Sequence, residues 1–401
     1  MKMKDLSEWS KQYALLALRI QRIVSERGGI LLIYHGPLEW RDAVNAENLM
    51  PANQLADDAD SLLRSIPFSA PRGNYLEAQF RAMGAAARQL AGDKLPLAAY
   101  VEQCLGFTPR KLPESLFEEA HSMVDDALPS APLPLPKRLQ EWRKAHTLTD
   151  RKKIPGIIER TIAEARRRTD AIIRLPEGES MDIQTTENPF MLAGGLYRGN
   201  LKSTFFYNDS LPVNLADLLY TVTHESYPGH ITEAMLKEKY LVQEKGFWEQ
   251  QIQFMTSPQF VITEGIGLCA EEMVFPRDEA QEWLERNVFI NCAVRGAHGD
   301  ISMLHRAKNI LWGVWSNAAF LADEGASDSE ITEYLAKWSL LEDAELATAL
   351  AYAKSFSPYI FCYYYGWERV QRFIGVPGRA DRIRRLLTEQ LLPGDLMDCR
   401  E

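Results

Sequence analysis

Apolar residues recur at helical spacing through most of this chain. Leu15, Leu16, Leu18, Ile20 and Ile23 mark an early amphipathic helix. The same period runs through residues 77–90 and 114–128, the latter following Pro113. A proline-rich connector at 129–136, with Pro129, Pro132, Pro134 and Pro136, separates an N-terminal helical region (1–128) from the remainder (137–401), and the two can pack as one body. Beyond helices at roughly 136–173 the pattern shortens to alternating runs at 181–186, 195–197 and 203–207, separated by Asn, Pro and Gly. These predict a small antiparallel sheet, and everything from Asn214 onward returns to helix. The expected fold class is therefore mainly α, with no internal repeat and no low-complexity tail.

Within the helical part, Asn214 can cap a helix with Asp217 at its third position, and Leu215, Leu218, Leu219 and Val222 give it a buried face. That face ends in Thr223-His224-Glu225-Ser226-Tyr227-Pro228-Gly229-His230. A divalent metal favours neutral imidazole ligands and an open position for water, and a carboxylate beside the first ligand can take the proton of that water. The histidines are six residues apart rather than the four of the H-E-x-x-H arrangement. On a regular helix that step turns the second ring roughly 120° away from the first.

Pro228 resolves the mismatch. It lacks the N–H that would bond the His224 carbonyl, and it disfavours helical backbone at Tyr227, so the helix must break or bulge there. Gly229 tolerates positive φ and allows a sharp turn. His230 can then return to the metal at the start of a second helix, marked by Ile231, Ala234, Met235 and Tyr240 to Val242.

A third protein ligand is sought in Thr263-Glu264-Gly265-Ile266-Gly267-Leu268-Cys269-Ala270-Glu271. Thr263 can cap a helix here. Glu264 and Glu271 lie seven residues apart, two turns, and project from one face. One would be a ligand and the other a hydrogen-bond partner for an imidazole N–H.

H-E-x-x-P-G-H followed by E-G-x-x-L-x-A-E resembles the bacterial domain-of-unknown-function family 885, zinc-metallopeptidase-like proteins related to the gluzincins. The resemblance extends over about the last two thirds of the chain and takes in Ser203-Thr204-Phe205-Phe206-Tyr207-Asn208 and Tyr363-Tyr364-Tyr365-Gly366. It implies His224, His230 and Glu264 as zinc ligands, Glu225 as general base and Glu271 behind the ligands. It also implies a gluzincin-like helical fold with the small sheet at the active-site cleft. A phenol near the metal could support the oxyanion, and the family pattern favours Tyr363, with Tyr364 and Tyr365 as alternatives. Where relatives often carry a second histidine, a tryptophan and an aromatic, this chain has Ile231, Ile266 and Cys269. These departures leave the ligand set intact.

Composition adds limits. A net charge of −10 argues against nucleic acid as the general partner. The basic stretch at 137–168, with eleven Lys or Arg against four acidic residues, reads as a solvated helical face. No run approaches the twenty or so apolar residues of a membrane span, and the run at 30–34 is far too short. The N-terminus carries charges where a signal peptide would be apolar. Cys104, Cys269, Cys292, Cys362 and Cys399 form no CxxC pair and fit reduced thiols, so the expected location is cytoplasmic. His35, His121, His146, His298 and His305 are read as surface or satisfied core residues.

The expected function is a zinc-dependent metallopeptidase acting on peptide or small acyl substrates. The same residues also admit hydrolysis of non-peptide amides or esters, a non-catalytic helical peptide-binding scaffold, or a metal held for stability alone.

Overall fold

The computed structural model describes residues 3–397 apart from 149, 189–191, 297 and 356, so Cys399 lies outside the described residues. The chain is mainly helical, and its apolar side chains gather in two cores. The first is built by the helices Met3–Ser25, Ala52–Arg64 and Arg72–Ala91. Leu15, Leu16, Leu18, Ile20 and Ile23 are all buried in it, as their spacing predicts. The second begins at Ala85 and Leu97 and runs to Leu396, and Leu128 and Leu139, on either side of the proline-rich connector, both belong to it.

The apolar run at 30–34 forms a strand, Leu32–Tyr34, paired antiparallel with Ile252–Phe254. The expectation of helix throughout from Asn214 is corrected there: Ile252 and Phe254 complete the first core from far along the chain. Arg72 reinforces the junction with an ion pair to Glu249 at 2.6 Å, and Tyr75 donates to Gln259 at 2.8 Å.

The second sheet has three strands, in the order Ser180–Thr186, Lys202–Asn208, Ala193–Gly199. It is mixed rather than antiparallel as expected: the first strand runs parallel to the central one and the last runs antiparallel to it. Alternation identifies strands without fixing their order, and the order sets the direction. The Ala193–Gly199 edge strand lies against the helices that follow it, Leu218–Glu225 and His230–Lys237.

At the centre of the second core stands the helix Pro258–Val274, in which only Glu272 is exposed. Its closest partner is the helix Phe361–Ile374. A Cβ on Gly265 would lie 2.4 Å from the Gly366 carbonyl oxygen, and one on Gly366 would lie 2.2 Å from that of Val261. Glycine at both positions lets the two backbones touch, which brings the tyrosine-bearing helix against the residue next to Gly265.

Candidate metal centre

The break in the motif forms as its proline demands. One helix ends at Glu225, the next starts at His230, and the residues between are tied by backbone hydrogen bonds. Ser226 N–H donates to the Val222 carbonyl at 2.9 Å, Gly229 N–H to that of Thr223 at 3.0 Å, and Glu233 N–H to that of Gly229 at 2.9 Å. Gly229 does not use positive φ: its φ is −69°. Glycine is required by close approach, since a Cβ would lie 1.8 Å from the His224 carbonyl oxygen. The first helix begins at Leu218, later than expected. Asn214 instead caps a local turn, accepting from Ala216 N–H at 2.9 Å, and Asp217 faces another helix.

This turn swings the two imidazoles together, their ring centroids 4.6 Å apart at an interplanar angle of 81°. Glu264 joins them from the central helix, its oxygens 3.6 Å from His224 Nε2 and 3.8 Å from His230 Nε2. Ligand atoms of all three residues lie within 4.8 Å of one another. Thr263 is no cap, because the helix starts at Pro258, and its hydroxyl donates to Glu233 Oε1 at 3.1 Å. Proline at the first helical position suits that start.

The three residues fit a zinc ion. Ligands bound at about 2.0–2.2 Å in tetrahedral geometry stand roughly 3.4 Å apart, close to the separations found. Two imidazole nitrogens and a carboxylate are an ordinary donor set for zinc. Glu264 Oε2 is buried without a hydrogen-bond donor among the described residues, an arrangement that a cation would relieve. Its other oxygen accepts from the Tyr359 hydroxyl.

Glu225 sits beside this cluster, with Oε1 4.0 Å from His224 Nε2. Its Oε2 accepts from the Gly195 N–H of the edge strand at 2.8 Å. Burial raises the Glu225 pKa to about 7, with Glu264 adding to the rise and His230 and the Gly195 N–H opposing it. A bound divalent cation would pull it back down. Burial holds His224 well below the ordinary histidine range, which keeps its imidazole neutral and able to ligate.

The remaining expectations separate. Tyr363 meets the ring of Tyr359, the residue that donates to Glu264, with centroids 5.7 Å apart, and its pKa is raised by burial first and then by the charge of Glu264, with Glu225 also contributing. Tyr365 bonds the Arg110 backbone instead, and Tyr364 packs on Trp367. Cys269 is buried with its Sγ toward the Trp367 carbonyl at 3.9 Å. Glu271 meets His305 rather than His224 or His230. Its Oε1 lies 3.0 Å from His305 Nδ1, while His305 Nε2 lies 3.0 Å from Asp217 Oδ1. His305 thus joins the start of the first histidine helix to the central helix, a role its sequence context did not reveal. Tyr359 was also missed, since a lone tyrosine before a helix carries no signal of a glutamate 95 residues away.

The basic stretch is largely paired. Arg167 and Arg168 meet Glu164, Arg166 meets Glu179, and Arg168 also meets Glu279. No helix among the described residues is long and apolar enough to cross a membrane.

No family model matches the chain, and no curated protein matches it either. Among solved structures, the chain is similar to a candidate lipoprotein from Colwellia psychrerythraea, with a TM-score of 0.55 and 13% identity over 90% of this chain and 68% of that one. It is also similar to a candidate lipoprotein of unknown function from Shewanella oneidensis, with a TM-score of 0.52 and 12% identity over 90% of this chain and 75% of that one. At such identities the likeness shows a shared, mainly helical fold.

Proposed function

We propose that this protein is a zinc-dependent metallohydrolase, specifically a peptidase of the gluzincin-like kind that its motifs resemble. One observation carries the reading: His224, His230 and Glu264 converge, with Glu264 Oε2 buried and lacking a hydrogen-bond donor among the described residues and Glu225 at the edge of the cluster. A divalent ion held by those three residues would supply Lewis acidity and water of lowered pKa. The chain's own groups account for the rest. Gly195 N–H anchors one oxygen of Glu225, leaving Oε1 to accept a proton and later return it to the leaving group. Tyr359 holds Glu264 from behind. The Tyr363 phenol would donate to the substrate oxygen as negative charge develops there.

Elemental analysis of the purified protein beside His230→Ala and Glu264→Ala, all checked for folding by circular dichroism, tests the metal. The expected result is about one zinc per chain in wild type and loss in both variants. Glu225→Gln should retain zinc and lose hydrolysis by at least about a hundredfold. Failure of wild type to take up zinc would sink the proposal. A panel of peptides, non-peptide amides and esters separates the peptidase from the broader hydrolase, and unchanged function in Glu225→Gln would favour a scaffold. A cytoplasmic location belongs to the same proposal and rests on the scattered thiols, four of which are unpaired among the described residues.

A further inference from the structure

The turn between the two histidines carries one large side chain, Tyr227, and it is only 1% exposed. Its hydroxyl donates to Glu179 Oε2 at 2.5 Å, across 48 residues of sequence. Glu179 immediately precedes the strand Ser180–Thr186, and its side chain is only 2% exposed. Its second oxygen accepts from Arg166 Nε on the helix Ile154–Ile172. Arg166 thus differs from Arg167, which meets Glu164 of its own helix. A helix, the start of a strand and the turn of the motif converge on one buried carboxylate.

A carboxylate removed from water is tolerated when it is paired and both its oxygens are bonded, and Glu179 meets that demand with one cation and one phenol. A buried tyrosine likewise needs a partner for its hydroxyl. The other side-chain hydrogen bonds of the turn among the described residues stay within the motif and the helix that follows it. Ser226 Oγ donates to the Val222 carbonyl at 2.6 Å, and Thr232 Oγ1 to that of Ser226 at 2.9 Å. These bonds shape the turn without attaching it to anything else. Its polar attachment comes from the three-stranded sheet: Gly195 N–H of one outer strand holds Glu225, and Glu179, which leads into the other outer strand, holds Tyr227.

We propose that Glu179 is a positioning residue for the metal centre: it pins Tyr227, and with it the turn that sets His224 and His230 at ligating distance. Tyr227 lies three residues from each histidine, so a displacement of its ring is passed to both ligand-bearing helix ends. The metal part of this inference rests on the zinc reading, whereas the pinning of the turn does not. Groups that orient metal ligands from outside typically account for about 10- to 100-fold in affinity, and loss of Glu179 should fall in that range. Glutamine has the shape of glutamate, and its carbonyl oxygen can accept from Arg166 while its amide donates to the Tyr227 oxygen, so it should preserve the link.

The test reads full-length protein in two ways: zinc affinity by competition with a chromophoric chelator, and amide hydrogen exchange of residues 226–233 in the zinc-free form. In Glu179→Ala and in Tyr227→Phe, zinc should bind about 10- to 100-fold more weakly. The turn amides, among them Ser226 N–H on the Val222 carbonyl and Gly229 N–H on that of Thr223, should exchange at least about tenfold faster. The double variant should be no worse than the more impaired single one, since the two residues act as a unit. Glu179→Gln and the surface control Arg167→Ala should both stay within about threefold of wild type. If Glu179→Ala does not fold, Tyr227→Phe, which removes a single oxygen, carries the same expectation. Wild-type affinity or wild-type exchange in the two single variants, or losses that add in the double one, would overturn the proposal. Faster turn exchange in a protein that takes up no zinc would leave the pinned turn standing and remove the hydrolase, and zinc uptake with affinity and exchange unaltered by the variants would do the reverse.

Discussion

The central helix Pro258–Val274 is tied to each of the two histidine helices by a buried charge cluster, and the two ties are built differently. Toward the His224 helix, Glu271 and Asp217 are bridged by His305, which comes from a third helix. Toward the His230 helix, Thr263 donates to Glu233, whose charge is met by Lys237 one turn along the same helix at 2.6 Å. The second tie is sealed, with the side chains of Glu233 and Lys237 only 4% and 7% exposed. The first reaches the surface, where Asp217 is 29% exposed and also meets Lys308. Glu264 thus lies on a helix held between a sealed ion pair on one side and, on the other, a bridge whose central group is a titratable imidazole.

The largest effect should come from breaking the sealed tie. Glu233→Ala leaves the Lys237 ammonium buried and unpaired, at a cost of about 3–5 kcal/mol in urea unfolding. Replacing both members, Glu233→Leu with Lys237→Met, should recover most of that loss, because an apolar pair needs no compensation. A double variant as unstable as the single one would show that the pair does more than cancel its own charge.

The open tie should be distinguished by its pH dependence. Burial lowers the His305 pKa, but Glu271 and Asp217 outweigh it and raise the value to about 9. A folded pKa above the unfolded value of about 6.5 means that the bridge stabilises fully below about pH 6.5 and loses its contribution as pH rises through about 9. The shift corresponds to about 3 kcal/mol. His305→Gln should therefore be less stable than wild type by about that amount at pH 6 and should show little of the alkaline decline. Parallel stability profiles from pH 6 to 10 would show that the imidazole does not carry the bridge.

Much of the His230 side was legible in the sequence. Pro228 and Gly229 force the helix to break whatever surrounds them, and the residue types that the break brings together are those that zinc chemistry favours. The His224 side was less so. His305 meets Glu271 across 34 residues and Asp217 across 88, and no local pattern encodes a contact at that range. The start of the central helix was misplaced at Thr263 for a related reason: with Glu272 its only exposed residue, it has no polar face to show where the period begins. Strand positions came from alternation, but the parallel pairing of Ser180–Thr186 with Lys202–Asn208 depends on strand order, which alternation does not carry. Tyr363 was named through the family pattern, while Tyr359 precedes its helix and reaches Glu264 because Gly265 and Gly366 bring the two backbones together.

The smallest expected effect lies in the sealed tie's link across to the central helix. Thr263→Val keeps the β-branched shape and removes only the hydroxyl that donates to Glu233 Oε1. Glu233 remains paired with Lys237, so no charge is stranded, and the loss should be that of one hydrogen bond, about 1 kcal/mol in urea unfolding. Zinc content should stay at the wild-type level, since Tyr359 still holds Glu264 and both histidine helices keep their turn. A loss as large as that of Glu233→Ala would invert the comparison: the ion pair would then depend on the neighbouring helix to hold its geometry, and the sealed tie would be as composite as the open one.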